Sequence, residues 1–306
     1  MKKVSSIEIS TLFLMIFLLF SCQGNNIREK QEEVILVKDD LDRDVKIKKD
    51  AKRFLPFAPS VTEIMYLFCD SSEIVGRTQN CNYPPVALTK PIVNNYPPDL
   101  EKILLLKPDL LITKDGMLSI EQANAIEKMG IPVYFQTYDS VSSIFKGIKR
   151  LSSLANHADK GIRVADSLED ILKKERVNIS GDPPKVLMLI SKDSYFCFGK
   201  NTYASDILRQ CGAVNAVDSI FENPYPILSA EYILKTNPDL ILGGPEVGLD
   251  KDFFELHPEL KRTKAFKTKQ YYSINEDYLS RPGPRVVEAV RAIRALLEKE
   301  NSSPQR

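Results

Sequence analysis

From residue 53 onward the apolar positions follow two alternating rhythms: short continuous runs, and longer stretches with apolar residues three and four apart. The runs "RFLPFA" (53–58), "IVGRT" (74–78), "PDLLIT" (108–113) and "IPVYFQT" (131–137) read as strands. Between them, "SVTEIMYLFC" (60–69), "DLEKILLLK" (99–107) and "SIEQANAIEKMG" (119–130) read as helices. The first has Ser60 as its N-cap with Glu63 three residues on, and the last ends at Gly130. Strand and helix in turn predict a β/α series with parallel strands. A second series follows Gly181: strand "PKVLMLIS", helices "ASDILRQCG" and "SAEYILKTN", strand "PDLILGG", helix "DFFELHPEL", strand "QYYSIN" and a terminal helix from Pro284 to Lys299. Between the two series, Ile144, Ile148, Leu151, Leu154, Ile162, Ala165, Leu168 and Leu172 keep helical spacing without a Gly-Pro break. The fold class expected is therefore α/β: two Rossmann-like lobes with mainly parallel sheets, residues 34–140 and 179–300, joined by one long rigid helix over 141–178, with a ligand cleft between the lobes.

The N-terminus changes the picture of where the chain resides. Lys2 and Lys3 precede an apolar run from Leu12 to Phe20, which falls well short of the roughly 20 apolar residues a membrane span needs. It reads as a signal peptide, residues 1–21, closing on a lipobox-like stretch in which Ser21 precedes Cys22. Cys22 is the expected lipidation site, residues 22–33 a polar tether, and the location an extracytoplasmic membrane surface, periplasmic or on the cell exterior.

Composition adds exclusions. With 42 basic and 41 acidic residues the net charge is +1, so there is no overall basic field to hold nucleic acid. Cys69, Cys81, Cys197 and Cys211 match no CxxC or zinc-ribbon spacing, and in an oxidising compartment three pairings are open to them. The only histidines, His157 and His257, are far apart, which excludes HExxH and a tight histidine cluster; His157 reads as a solvated helix residue. No GxSxG elbow, P-loop or GxGxxG is present. No catalytic residue and no metal ligand is therefore assigned, and the expected protein is not an enzyme.

One fourteen-residue phrase occurs twice, 130 positions apart: "DLEKILLLKPDLLI" (99–112) and "SAEYILKTNPDLIL" (229–242), identical at six positions. Burial accounts for the apolar positions, and helix termination for Pro108 and Pro238. Burial does not account for Glu101 and Glu231. The helix dipole favours a carboxylate in the first turn by about 0.3 to 1 kcal/mol, but Asp or Ser would also suit that position.

Together with this repeat, "APSVTEIMYLF", "VGRTQNCNYPPVA", "FGKNTYASDILRQCGAVNAV" and "RPGPRVVEAV" resemble the helical-backbone periplasmic binding proteins of ABC importers, which deliver vitamin B12, haem and ferric siderophores. The likeness covers about residues 53–298 and lies nearest the cobalamin-binding branch. It implies that Glu101 and Glu231 dock onto arginines of a two-fold symmetric permease dimer, while the protein itself is a monomer without a resident cofactor. Its cargo is implied to be a small metal chelate, cobalamin or a related corrinoid, with haem or a ferric siderophore as the alternative. Ligand contacts are implied at Ser60, Asn80, Cys81 and Tyr83, at Tyr96 and Tyr225 from opposite lobes, and at Asp277, Tyr278 and Arg281. For haem, a tyrosine or Cys81 would supply the axial bond. The competing reading from another class is a chelatase-like metallo-enzyme, which the export signal and the absence of ligand clusters disfavour.

Overall fold

The computed structural model describes residues 33–175 and 181–302. The signal peptide, Cys22, the tether up to residue 32 and residues 176–178 of the expected connector lie outside them. The described residues from Val34 on form one compact unit.

The chain opens with an antiparallel hairpin of β1 (Val34–Lys38) and β2 (Asp44–Lys48). The first series then builds a parallel sheet, β3 (Phe54–Pro56), β4 (Leu110–Lys114) and β5 (Val133–Gln136), in the order β3-β4-β5. Its helices are α1 (Pro59–Met65), α2 (Leu100–Leu106) and α3 (Ile120–Glu127). The second series builds a parallel sheet from β6 (Lys185–Leu189), β7 (Val214–Asn215), β8 (Leu240–Gly243) and β9 (Tyr271–Ser273), ordered β7-β6-β8-β9. The expected strand over 74–78 makes only isolated bridges, at Ile74 and Arg77.

Both sheets are covered on both faces, which is why their strands read as apolar runs rather than alternations. In the first sheet, Phe54, Leu110, Ile112 and Tyr134 face the main core, while Leu55, Leu111, Val133 and Phe135 face a second cluster. In the second sheet, Val186, Met188, Leu240 and Leu242 join the same main core; Leu187, Leu189 and Ile241 face a third. One continuous core thus runs through both lobes.

The connector corrects the expectation of a single helix. It is two helices, α4 (Val141–Leu154) and α5 (Ala158–Lys174), packed side by side. An unbroken helix over residues 141–178 would run about 57 Å. Folding back instead lets α4 bury Ile144, Phe145, Ile148 and Leu151. The break falls at Asn156, in the left-handed region at φ 61°, which asparagine tolerates better than most residues. Gly161 sits where the helices cross: a Cβ there would lie 2.0 Å from Ser152 Oγ, so only glycine permits the approach. Ile162, apolar and expected inside, is exposed instead.

Beyond the connector lie α6 (Tyr203–Gln210), α7 (Ala230–Thr236), α8 (Phe253–Leu256), α9 (Lys264–Lys267), α10 (Asp277–Ser280) and α11 (Val286–Ser302). The two copies of the repeated phrase have the same local structure. Asp99 and Ser229 cap α2 and α7 by accepting from Lys102 N and Tyr232 N. Both helices span seven residues and end in a left-handed residue, Lys107 and Asn237. The shared aspartate ties each new strand to its neighbour: Asp109 accepts from the amides of Lys52 and Arg53, and Asp239 from that of Lys185.

Candidate functional site

The loops at the carboxyl ends of parallel strands are where such sheets place their sites. Here the segments after β8 and β9 face the loop around residue 82 across a cavity of about 680 Å³. It is lined by Asn82 from the first lobe and by Pro245, Glu246, Ser273–Asp277 and Arg281 from the second.

The floor beside it is an ionic clasp between the lobes. Pro59 occupies the first turn of α1, where its missing N–H costs nothing. One turn on, Glu63 points inward and is only 2% exposed. Arg285 Nε donates to Glu63 Oε2 at 2.9 Å, and its Nη2 donates both to Glu63 Oε1 and, at 3.0 Å, to Asp277 Oδ2. Arg281 Nε lies 2.7 Å from Asp277 Oδ1, and its Nη1 donates to Asn82 Oδ1 at 2.6 Å. The Arg285 guanidinium also covers the Tyr83 ring, 4.5 Å from its centroid, a cation–π geometry. Burial pushes the Glu63 carboxyl above its ordinary range, and the bonds from Arg285 oppose that push. Burial likewise works against the charge on Arg285, but Glu63 and Asp277 prevail and hold it protonated. On the cavity wall the Glu276 carboxyl is raised by burial and then by the neighbouring Glu246.

The structure brings together Tyr83, Asp277 and Arg281 of the residues singled out from sequence. Asn80 is exposed on the same loop but does not line the cavity. Cys81 is turned inward, 1% exposed with its sulfur 3.0 Å from Thr78 Oγ1, and does not line the cavity, whereas the neighbouring Asn82 does. Ser60 is a buried residue inside α1 rather than its N-cap, which is Ala58, and Glu63 serves the clasp instead of a capping box. Tyr225 is half-buried, edge-on to Phe198 with centroids 5.9 Å apart. Burial, then the charge of Asp115 from the opposite lobe, raises its hydroxyl pKa. Tyr96 is 86% exposed and outside the cavity, and Tyr278 packs against the main core. Glu101 and Glu231 are both exposed, in the first turns of α2 and α7, with no side-chain partner among the described residues.

Glu63, Asn82, Glu246, Glu276 and Arg285 are the site residues that sequence reasoning missed. No helical spacing signals Arg285: it lies beyond Pro282-Gly283-Pro284, in the turn between α10, which ends at Ser280, and α11, which starts at Val286. The four described cysteines are all buried and free. Burial pushes the thiols of Cys197 and Cys211 up to about 12. His157, expected in solvent, is half-buried and bonded to Glu73.

Residues 57–278 match the family model described as periplasmic binding protein. An uncharacterized ABC transporter substrate-binding lipoprotein of Bacillus subtilis, YvrC, is 27% identical over 310 residues, covering 96% of each chain. The periplasmic vitamin B12-binding protein BtuF of Vibrio cholerae superposes with a TM-score of 0.70 at 26% identity, over 83% of this chain and 99% of that one. The haem-binding protein BhuT, with two haems bound, superposes at 0.74 with 21% identity, over 81% of this chain and 98% of its own.

Proposed function

The chain belongs to the periplasmic binding protein family, as a substrate-binding protein of an ABC transporter of the B12, haem and siderophore class, and on that premise we propose that it delivers cobalamin or a related corrinoid to its permease. Proteins of this kind bind and hand over small molecules; they are not enzymes.

The observation that supports a corrinoid over haem is the charge of the cavity wall. Glu246, Glu276 and Asp277 line it, with Arg281 already committed to Asp277 and Asn82. A corrinoid carries neutral carboxamides around its ring, and their N–H groups donate well to carboxylates. Haem presents carboxylates of its own, and like charges brought together in a partly desolvated cleft are costly. Tyr225 lies outside the lining of this cavity, and we propose that its half-buried ring meets the ligand from the second lobe once the cleft is filled.

Calorimetry with cyanocobalamin and with haemin tests the reading. Tight binding of cyanocobalamin is expected, and Tyr225→Ala should weaken it by about 1 to 3 kcal/mol, roughly 5- to 150-fold. Absence of heat with cyanocobalamin and tight binding of haemin would transfer the assignment to haem, with a tyrosine rather than Cys81 as the axial ligand.

We further propose that Cys22 carries the lipid anchor, in keeping with the lipoprotein description of the Bacillus relative. Cys22→Ser should move the protein from the membrane fraction to the soluble fraction and abolish incorporation of labelled lipid. Unchanged partitioning with retained label would refute the anchor.

A further inference from the structure

Away from the cavity, the structure gathers three side chains of different chemistry that sequence spacing keeps apart. The Cys69 sulfur, a Glu73 carboxylate oxygen and a His157 ring nitrogen all lie within 4.8 Å of one another. We propose that they form a binding site for a divalent zinc-type ion, with water completing the coordination.

Cys69 follows α1, and Glu73 closes the single turn behind it. That turn is fixed by a capping box in which Asp70 N donates to Glu73 Oε2 at 2.8 Å. His157 stands at the apex of the connector hairpin, its Nε2 3.0 Å from Oε1 and 2.9 Å from Oε2 of Glu73. An ion would take the place of this hydrogen bond between the two groups. The Phe68 ring, 6.5 Å from the imidazole centroid, walls one side. Half-exposure of Glu73 and His157 leaves an entry path and room for water, while Cys69 is buried. A thiolate, an imidazole and a carboxylate together suit Zn²⁺ better than Ca²⁺ or Mg²⁺, which take oxygen ligands. Three protein ligands plus water is the open form of a zinc site.

Burial, and then Glu73, hold the Cys69 thiol protonated without an ion. Coordination would therefore release that proton to solvent as the S–Zn bond forms, and any proton held between His157 Nε2 and Glu73 would have to leave as the N–Zn bond forms, to Nδ1 or to solvent. Lys160, anchored to the Phe68 carbonyl at 3.1 Å, adds a nearby positive charge that tempers the affinity. An ion held here would pin the hairpin apex to the end of α1. The competing account, a half-buried His157–Glu73 hydrogen bond beside a core thiol, needs no ion and predicts none.

Equilibrium dialysis of the full chain against buffered Zn²⁺, and titration with Co²⁺, decide between them. One ion per chain is expected, with a sulfur-to-cobalt absorption band in the near ultraviolet. Cys69→Ser should abolish that band. Glu73→Gln retains a hydrogen bond to His157 yet removes the ligand charge. It and His157→Gln should each weaken binding by at least the roughly 10- to 100-fold that loss of an outer-shell partner costs. If Cys69→Ser does not fold, the other two variants, at half-buried positions, carry the test. No ion above the level of the double variant Glu73→Gln, His157→Gln, or binding unchanged in each single variant, would overturn the proposal. The experiment uses no corrinoid, so its outcome is independent of the cleft's ligand.

Discussion

Arg285→Ala is expected to destabilise the protein by about 3 to 5 kcal/mol, the range seen when one partner of a buried ion pair is removed. The reason is the isolation of Glu63, which is 2% exposed and has Arg285 as its bidentate partner. Asp277 would lose a partner as well, and the Tyr83 ring its covering cation. Arg285→Lys should recover part of the loss, because a point charge remains but the planar fork does not. Without Arg285 only the more distant Arg281, 3.9 Å away, offsets the burial that already raises the Glu63 carboxyl, so its folded pKa climbs further. A carboxyl raised in the folded state contributes stability that is fully present below its unfolded value and is lost as pH rises through the folded one. The variant's deficit should therefore be largest at neutral pH and shrink toward the ordinary carboxyl range near about 4.3. Urea unfolding from pH 5 to pH 8 measures both. A loss below about 1 kcal/mol at pH 7 would mean that Glu63 is not ionised in the native protein.

The second large effect concerns transport. We propose that Glu101 and Glu231 dock onto cations of the permease, one on each lobe. Loss of a hydrogen bond to a charged partner costs about 1.5 to 3 kcal/mol, or roughly 10- to 150-fold in complex affinity. The two sites lie on separate lobes, so the double variant Glu101→Ala, Glu231→Ala should lose approximately the product of the single effects. Cargo affinity and melting temperature should stay nearly unchanged, because both side chains are exposed and neither lines the cavity. If the carboxylates served only the helix dipole, the outcome would be reversed: a stability loss of about 0.3 to 1 kcal/mol per site with normal docking. Reconstituted transport, read beside a melting curve, separates the two, and normal transport by the double variant would refute the docking role.

The local grammar of the fold was legible in the chain. The helices expected over 99–107 and 119–130 form as α2 and α3, and the apolar runs at 53–58, 108–113 and 131–137 become strands buried on both faces. What escaped the reading depends on contacts between distant segments. The hydrogen bond from Asn156 Nδ2 to Lys49 O, 107 residues away, helps hold the turn that divides the connector. Glu63 has the spacing of a capping-box partner to Ser60, but the helix starts two residues earlier, at Pro59, and that carboxylate turns toward Arg285, 222 residues on. The same limit applied to the cleft. Tyr83, Asp277 and Arg281 come together beside the cavity, whereas Cys81 points away from the cavity that Asn82 lines, because the loop rotates the thiol inward. Cys69, Glu73 and His157 show no ligand spacing in the sequence, since the apex that brings His157 to Glu73 exists only once the hairpin has formed.

The crossing of Gly161 over Ser152 bears on how force passes between the lobes. A single helix is a thin rod, and its resistance to bending comes from its own backbone. Two helices side by side make a thicker beam, but only if they do not slip past each other; free to slip, they bend as two thin rods. At this contact the absent side chain acts as a keyway and Ser152 as the key, so the pair bends as one body. The connector's stiffness thus comes from its breadth rather than its length, and it depends on position 161 having no side chain.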